Sequence, residues 1–352
     1  MATTAGAQDY PNRPISLVVP FPPGGIADIT ARSVASPMAK ILRTPVVVIN
    51  KPGAGGAVGL LSVATSPPDG HTLALAFSSA VALPQVDKAA GRQPQFSLDQ
   101  LAPVALITAD PIMLLVRDRA PWRTARDFVE DARQRPGRIS FASSGVYGPF
   151  HLAMEQLARE ARISLRHVPY AGVGPALNDV LGGQIEAIAV TPSLAYRHID
   201  SGTLRALVAW GDVRAAALPN VPTFKELGYP GVEFYVWTGM FAPAGTPEPI
   251  LETLRVALGR VAADGDFRSA MERLRIAIDL RGGTDFRRFI DADARRVAIA
   301  LGTAPPGRRS EPSLPGGPSV PSNQSAPSVL PLPKESAPSG PSVLPLPGTG
   351  RQ

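Results

Sequence analysis

An α/β fold, with parallel strands joined through helices, is predicted by three features of this sequence. Short, continuously apolar, β-favouring runs recur at 15–19, 46–49 and 72–77. Each ends in a turn of Pro, Gly or Ser, and helical spacing of apolar residues resumes directly after the first two. The intervening loops are short, the rhythm of strands laid side by side and covered by helices.

The first run, ISLVVPFPPGGIAD at 15–28, organises the rest. Ile15, Leu17, Val18 and Val19 are too continuously apolar for an edge strand. Pro20, Pro22 and Pro23 end it because they have no N–H to give a ladder. Gly24 and Gly25 let the backbone turn sharply, and Ile26, Ile29, Ala31, Val34, Ala35, Met38, Ile41 and Leu42 then follow helical spacing. A glycine turn that opens a helix at the carboxyl end of a parallel strand is an anion seat, since free amides and the positive end of the helix dipole meet there. The turn also reads as a plain strand–helix connection, and Asp28, in the first helical turn, reads either as a cap or as a ligand contact. Nucleotide phosphate fits poorly: no GxGxxG follows the strand and GxxxxGK[ST] is absent, which leaves carboxylate as a candidate anion.

The second run leads into NKPGAGGAVG at 50–59, another glycine turn, and a helix through Leu60, Leu61 and Ala64. PPDG at 67–70 is a turn before the third run, which ends at Ser78 and Ser79. Residues 80–100 read as a polar surface loop. Strands follow at 104–107 and 112–116, and Asp110-Pro111 between them marks a first crossing between domains. A second α/β unit has helices at 125–133, 150–161 and 175–181, and strands at 139–142, 165–168 and 187–190. Its strands also run into polar turns: SSGVYG, PYAGVG and TPS. Strands at 204–209 and 234–241 bring the chain back, and helices at 249–262, 267–274 and 285–300 complete the first domain.

Composition removes several classes. The 352 residues contain no cysteine, so disulfides, thiolate metal sites and cysteine nucleophiles are excluded. The net charge of +6 is mild and interspersed, without the basic runs and aromatics that nucleic acid needs. No apolar run is long enough to span a membrane. Ala5-Gly6-Ala7 has the small-residue pattern of an export-signal cleavage site, so the chain reads as a nearly mature exported protein. From 303 to 352 the chain is rich in Pro, Ser and Gly and repeats PSVLPLP, so a disordered or polyproline-like tail is expected. LPGTG at 346–350 matches a sortase pattern but lacks the apolar span and basic tail of an anchor.

In this order, the motifs closely resemble the solute receptors of tripartite tricarboxylate transporters, the Bug family. They are YPNRPISLVVPFPPGGIADITAR (10–32), VVVINKPGAGGAVG (46–59), PDGHTLA (68–74), ISFASSG (139–145), HVPYAGVGPALNDVLGGQIEA (167–187), LPNVPTFKELGYPG (218–231) and FAPAGTP (241–247). The resemblance runs from residue 10 to about 301. It implies a two-domain periplasmic-binding-protein fold of type II, each domain a mostly parallel sheet flanked by helices, with two crossing segments. Residues 10–110 and 235–302 would form the first domain and 111–234 the second. It further implies a carboxylate ligand held mainly by main-chain groups and water, in keeping with turns made of Gly, Ser, Pro and Tyr without arginine. By motif match, the first domain should contribute Phe21, Pro22, Gly24, Gly25, Asp28, Ser78 and Ser79. The second should contribute Ser143, Ser144, Gly145, Tyr170, Gly172 and Asp179. One position departs from the family's SSG-x-G-S-x-x-H: Tyr147 stands at the second Gly and Gly148 at the Ser. The phenol would stack on an aromatic acid or merely fill space.

Other chemistry is weaker. His71, His151, His167 and His198 lack metal-ligand spacing, and no cofactor is implied. Ser79 or Ser144 with His151 and Asp28 would make a hydrolase triad, but the GxSxG elbow is missing. The expectation is therefore a monomeric periplasmic receptor, not an enzyme, that closes on a small carboxylate and delivers it to a membrane transporter. The alternative is a sensor that presents the ligand to a membrane kinase.

Overall fold

A computed structural model describes residues 10–303. The Ala5-Gly6-Ala7 pattern, the PSVLPLP repeats and LPGTG lie outside them. Two sheets carry the described residues. Strand β1 (Ile15–Val19) pairs in parallel with β2 (Val46–Asn50) on one side and β3 (Thr72–Phe77) on the other. Antiparallel strands extend this sheet: β10 (Tyr235–Pro243) beside β3, then β4 (Leu101–Pro111), then β11 (Ile278–Gly282), in the order β11-β4-β10-β3-β1-β2. The second sheet places β6 (Ser140–Ser143) in parallel between β7 (Arg166–Pro169) and β8 (Ala187–Val190). Antiparallel β5 (Met113–Arg117) and β9 (Leu204–Ala209) then follow β8. Each sheet is thus mixed rather than mostly parallel. The strands that follow each crossing run back antiparallel, which short apolar runs alone do not reveal.

β1 is buried on both faces. Ile15, Leu17 and Val19 face helices α1 (Ile26–Leu42), α8 (Glu248–Ala263) and α9 (Gly265–Arg273), while Val18 faces the core under α2 (Ala57–Ala64). Each such side chain contributes roughly 1.5–3 kcal/mol relative to exposure. On β10, Trp237 and Phe241 pack against Phe286 of α10 (Gly283–Leu301), and Gly239 lets that ring approach so closely that a Cβ would lie 2.3 Å from its Cζ.

The chain passes between the sheets twice. β4 ends at Pro111 and β5 starts at Met113, so the first passage from sheet to sheet falls at Ile112. The return runs from β9 through Trp210 and the 211–234 segment to β10. The backbones of the two crossings are tied: Trp210 N–H donates to Ile112 O (2.8 Å), Ile112 N–H to Phe234 O (3.3 Å) and Phe234 N–H to Trp210 O (2.9 Å).

Most remaining elements lie where periodicity placed them, with ends shifted by one or two residues. These are α4 (Ala125–Gln134), α5 (Pro149–Ala161), α6 (Val173–Gly182), α8 and α10. Three differ. Residues 80–100 are not a loop: α3 (Ser79–Ala89) forms there with Pro84 inside it, because Ala80, Val81 and Pro84 share a buried face. Helix α7 (Pro192–Asp200) occupies the TPS turn, with Pro192 at its first position, where a missing N–H costs nothing. β11, with an exposed polar stretch at its end, has no counterpart among the expected strands.

Candidate ligand-binding site

Because β1, β2 and β3 are parallel, their carboxyl ends lie at one edge of the first sheet, and those of β6, β7 and β8 lie at one edge of the second. Each of these six strands runs into a helix whose N-cap side chain makes no hydrogen bond to its own first turn. The caps are Gly25, Gly56, Ser78, Gly148, Gly172 and Thr191. By contrast, α4 and α9, which do not follow these strands, are closed by Thr124 and Asp264. α8 and α10 are open too, so an open first turn alone does not define the edge. What defines it is the clustering of free N–H groups and positive dipole ends, a setting for anions.

On the first sheet, Pro22, Gly24 and Gly25 are exposed, and Phe21 is half-buried with its ring edge-on to Phe77 at 5.3 Å. Gly24 takes a left-handed φ of 83°, whereas Gly25 is extended. Asp28 is buried. Its Oδ2 accepts from Gly24 N–H (3.1 Å) and Arg32 Nε (2.9 Å), and its Oδ1 is buried without a partner. The Arg32 guanidinium and the Gly24 amide hold this carboxyl down at about 2. Asp28 therefore closes the turn from inside, with Arg32 one turn further along α1 as its ion-pair partner. Asn50, missing from the sequence-based site, donates from Nδ2 to Phe21 O (3.1 Å) and ties the two glycine turns. Its place at the end of β2, just before the second turn, was the available signal. Ser78 is buried, its amide bonded to Trp237 O (3.2 Å), and the Ser79 hydroxyl is buried without a partner at the first turn of α3.

On the second sheet, Ser143 is buried, and its Oγ lies 2.9 Å from Gly145 O and 2.6 Å from His167 Nε2. Ser144 and Gly145 are half-buried. Tyr147 has φ +60°, a left-handed conformation that fits Gly better than a side chain, and its N–H donates to His151 Nδ1 (3.0 Å). The Tyr170 hydroxyl donates to Asp179 Oδ2 (2.6 Å), a bond that pushes the phenol up to about 12. Gly172 caps α6 with open space where a Cβ would stand.

The polar side chains thus divide. Asp28, Ser143, Tyr170 and Asp179 have partners within their own segments. The Ser79 hydroxyl, Ser144 and the Tyr147 phenol have none among the described residues, whereas the Gly24, Ser78, Gly145 and Tyr147 amides are already bonded. No triad assembles, since the ring nitrogens of His151 face the Tyr147 amide and Glu155 Oε1 (3.5 Å), and Asp28 is paired with Arg32. His151 and His167, distant in sequence, are stacked with ring centroids 3.9 Å apart. Among the described residues, no group of three or more acidic or histidine side chains is arranged to hold a metal ion. None of the described helices is long and apolar enough to cross a membrane.

Residues 30–300 match the model of the tripartite tricarboxylate transporter family receptor. The chain is 37% identical over 269 residues to a UPF0065 protein from the tcbD-tcbE intergenic region of Pseudomonas sp. strain P51, covering 76% of this chain and 79% of that one. It is 36% identical over 257 residues to the protein BugT of Bordetella pertussis, covering 72% and 78% respectively. Among solved structures, a TctC solute binding protein from Polaromonas superposes with a TM-score of 0.74 at 30% identity, over 84% of this chain and 98% of that one. MatC from Rhodopseudomonas palustris with bound malate gives 0.62 at 30% identity, over 83% and 98%. A second protein of that species, with adipate, gives 0.67 at 27%, over 84% and 100%. Two mixed sheets flanked by helices, helix N-termini gathered at one edge of each, and these matches agree: the chain belongs to the tripartite tricarboxylate transporter receptor family, whose members are solute-binding receptors and not enzymes.

Proposed function

We propose that this chain is a periplasmic receptor that captures a small carboxylate between two lobes and delivers it to a tripartite membrane transporter. The lobes are residues 10–110 with 235–302, and residues 111–234, joined at the two crossings. The carrying observation is the set of six open helix N-termini at the carboxyl ends of parallel strands, three in each sheet. The main-chain amide at Gly25 and the free Ser79 hydroxyl serve the ligand from the first lobe, beside a Gly24 turn that Asp28 holds. Ser144, Gly145, Tyr147 and Gly172 serve it from the second. Asp28, Ser143, Tyr170 and Asp179 build the turns that aim those groups. Ligands such as the malate and adipate held by related proteins are dicarboxylates, which suits two amide-lined edges, one for each end. A ligand that touches both lobes stabilises the closed state by its extra contacts there.

The test uses Gly25. An added Cβ meets nothing nearer than Pro22 O at 4.0 Å, and the backbone is extended, so a side chain at position 25 meets no clash at its Cβ. The branched side chain of Gly25→Val occupies the space in front of the α1 amides. In a thermal-shift screen against mono-, di- and tricarboxylates and aromatic acids, the wild-type chain should show a saturable rise with one acid. That rise corresponds to about 2.7 kcal/mol at a hundredfold excess over Kd. Gly25→Val should keep the ligand-free melting temperature and lose most of the rise. An equal rise in the variant would remove the anion seat from this turn.

A further inference from the structure

Two histidines lie beneath the 143–148 turn, one at each of its ends. His151 stands in the first turn of α5 and His167 on β7, with planes 16° apart and centroids 3.9 Å apart, and the Phe141 ring lies beside both, 4.9 Å from His167 and 6.2 Å from His151. His167 Nε2 meets Ser143 Oγ at the start of the turn (2.6 Å), and His151 Nδ1 accepts the Tyr147 N–H at its end (3.0 Å). Tyr147 needs that hold, because its left-handed backbone at φ +60° costs about 1–2 kcal/mol for a residue with a Cβ. To accept, Nδ1 must be bare, so the neutral His151 ring carries its proton on Nε2, which faces Glu155 Oε1 at 3.5 Å. A proton on Nδ1 would set two donors against each other and break the bond. Two charged rings at this spacing repel, so the pair takes up one proton at a time. Burial and the neighbouring His151 hold His167 down at about 4, which keeps it neutral at pH 7. The other titratable and charged groups facing the pair are Glu155 with Arg159 behind it on α5, and the Tyr147 phenol, whose ring lies 5.8 Å from His151. β6 presents only Phe141 and Ser143.

We propose that the stacked His151–His167 pair is a positioning clamp that holds the 143–148 turn in its ligand-binding shape while both rings are neutral and releases it when His151 is protonated. Its value for binding rests on the reading of that turn as part of the carboxylate site; the clamp itself is testable without a ligand. In the full chain labelled with 15N, the ring nitrogens of both histidines and the Tyr147 amide are followed by NMR from pH 8 to 4.5. The Tyr147 amide should move with the same midpoint as His151 Nδ1. In His151→Asn, the amide oxygen can stand in for Nδ1 and never gains a proton, so the Tyr147 signal should keep its pH 8 position and stop responding to acid. In His151→Leu it should sit near the acid position already at pH 8. A Tyr147 amide that stays put while His151 titrates, or that still titrates in His151→Asn with the wild-type midpoint, overturns the clamp. With malate as probe, the ratio of wild-type to His151→Asn Kd should rise about tenfold from pH 8 to pH 5, a comparison in which the acid's own titration cancels. If malate binds neither protein while the Tyr147 signal behaves as described, the carboxylate reading fails for this probe and the clamp stands.

Discussion

Tyr147 holds backbone strain at a position where a side chain replaces hydrogen. Its backbone is left-handed, its amide is held by His151, and its ring is half-buried. The family pattern that this sequence resembles has Gly there, and the φ of +60° supplies the physical reason. Tyr147→Gly would relieve about 1–2 kcal/mol of backbone strain. It would also give up the packing of a half-buried ring and loosen the unfolded chain, so the net change in stability should stay within about 1 kcal/mol. Binding should change far more. If the phenol shapes the site, the variant should shift preference from aromatic toward small aliphatic acids in the same ligand screen. An unchanged profile would leave the ring as filler. The partners at Asp28, Ser143 and Asp179 make a related point. Residue type and motif put these side chains at the turns, but only the folded arrangement shows their polar atoms already committed to neighbours.

Among the elements, α2 sets the geometry of the edge. Gly59 in its first turn would place a Cβ 2.8 Å from both Pro20 Cα and Lys51 O, main-chain atoms that cannot swing aside. The helix can therefore lie directly against the end of β1, with Gly56 close to Pro20 and Phe21. Gly59→Ala should push α2 outward and cost about 1–3 kcal/mol, despite the better helix propensity of Ala. It should also weaken ligand binding by displacing both glycine turns. A melting temperature equal to the wild type would show that the contact relaxes freely. Elements of this kind were legible in the sequence: β1, β2, β3 and β8 are short apolar runs with turn residues at their ends, so period and punctuation agree. α3 was not legible because Pro84 argues against a helix locally, and only burial of Ala80, Val81 and Pro84 on one face overrides it. β11 escaped for the opposite reason. Ile278 and Leu280 alternate with charged Asp279 and Arg281, and the strand forms because β4 offers it an open edge.

At the level of the whole molecule, two crossings join the sheets. The three-way backbone link of Ile112, Trp210 and Phe234 is narrow, and Asp110 sits beside it at the end of β4. Its carboxyl is buried, with Ala277 N–H on Oδ1 (3.0 Å) as the hydrogen bond recorded to it, and burial pushes it up to about 7. A carboxyl raised in the folded state favours folding in acid and opposes it in base. Its contribution is fully present below the ordinary carboxylate value near 3.8 and is lost as the pH rises through about 7. Asp110→Asn keeps an oxygen for the Ala277 amide and cannot ionise. At pH 8 it should therefore be more stable than the wild type by a few kcal/mol, and at pH 4.5 that gain should shrink to about a quarter. Urea unfolding of both proteins at the two pH values measures the difference. A gain of equal size at both would mean that the crossing is solvated enough to leave Asp110 an ordinary carboxylate. A gain that grows with pH would place an unscreened buried charge beside the crossing, where Asp110 is neutral in acid and a cost to the fold in base.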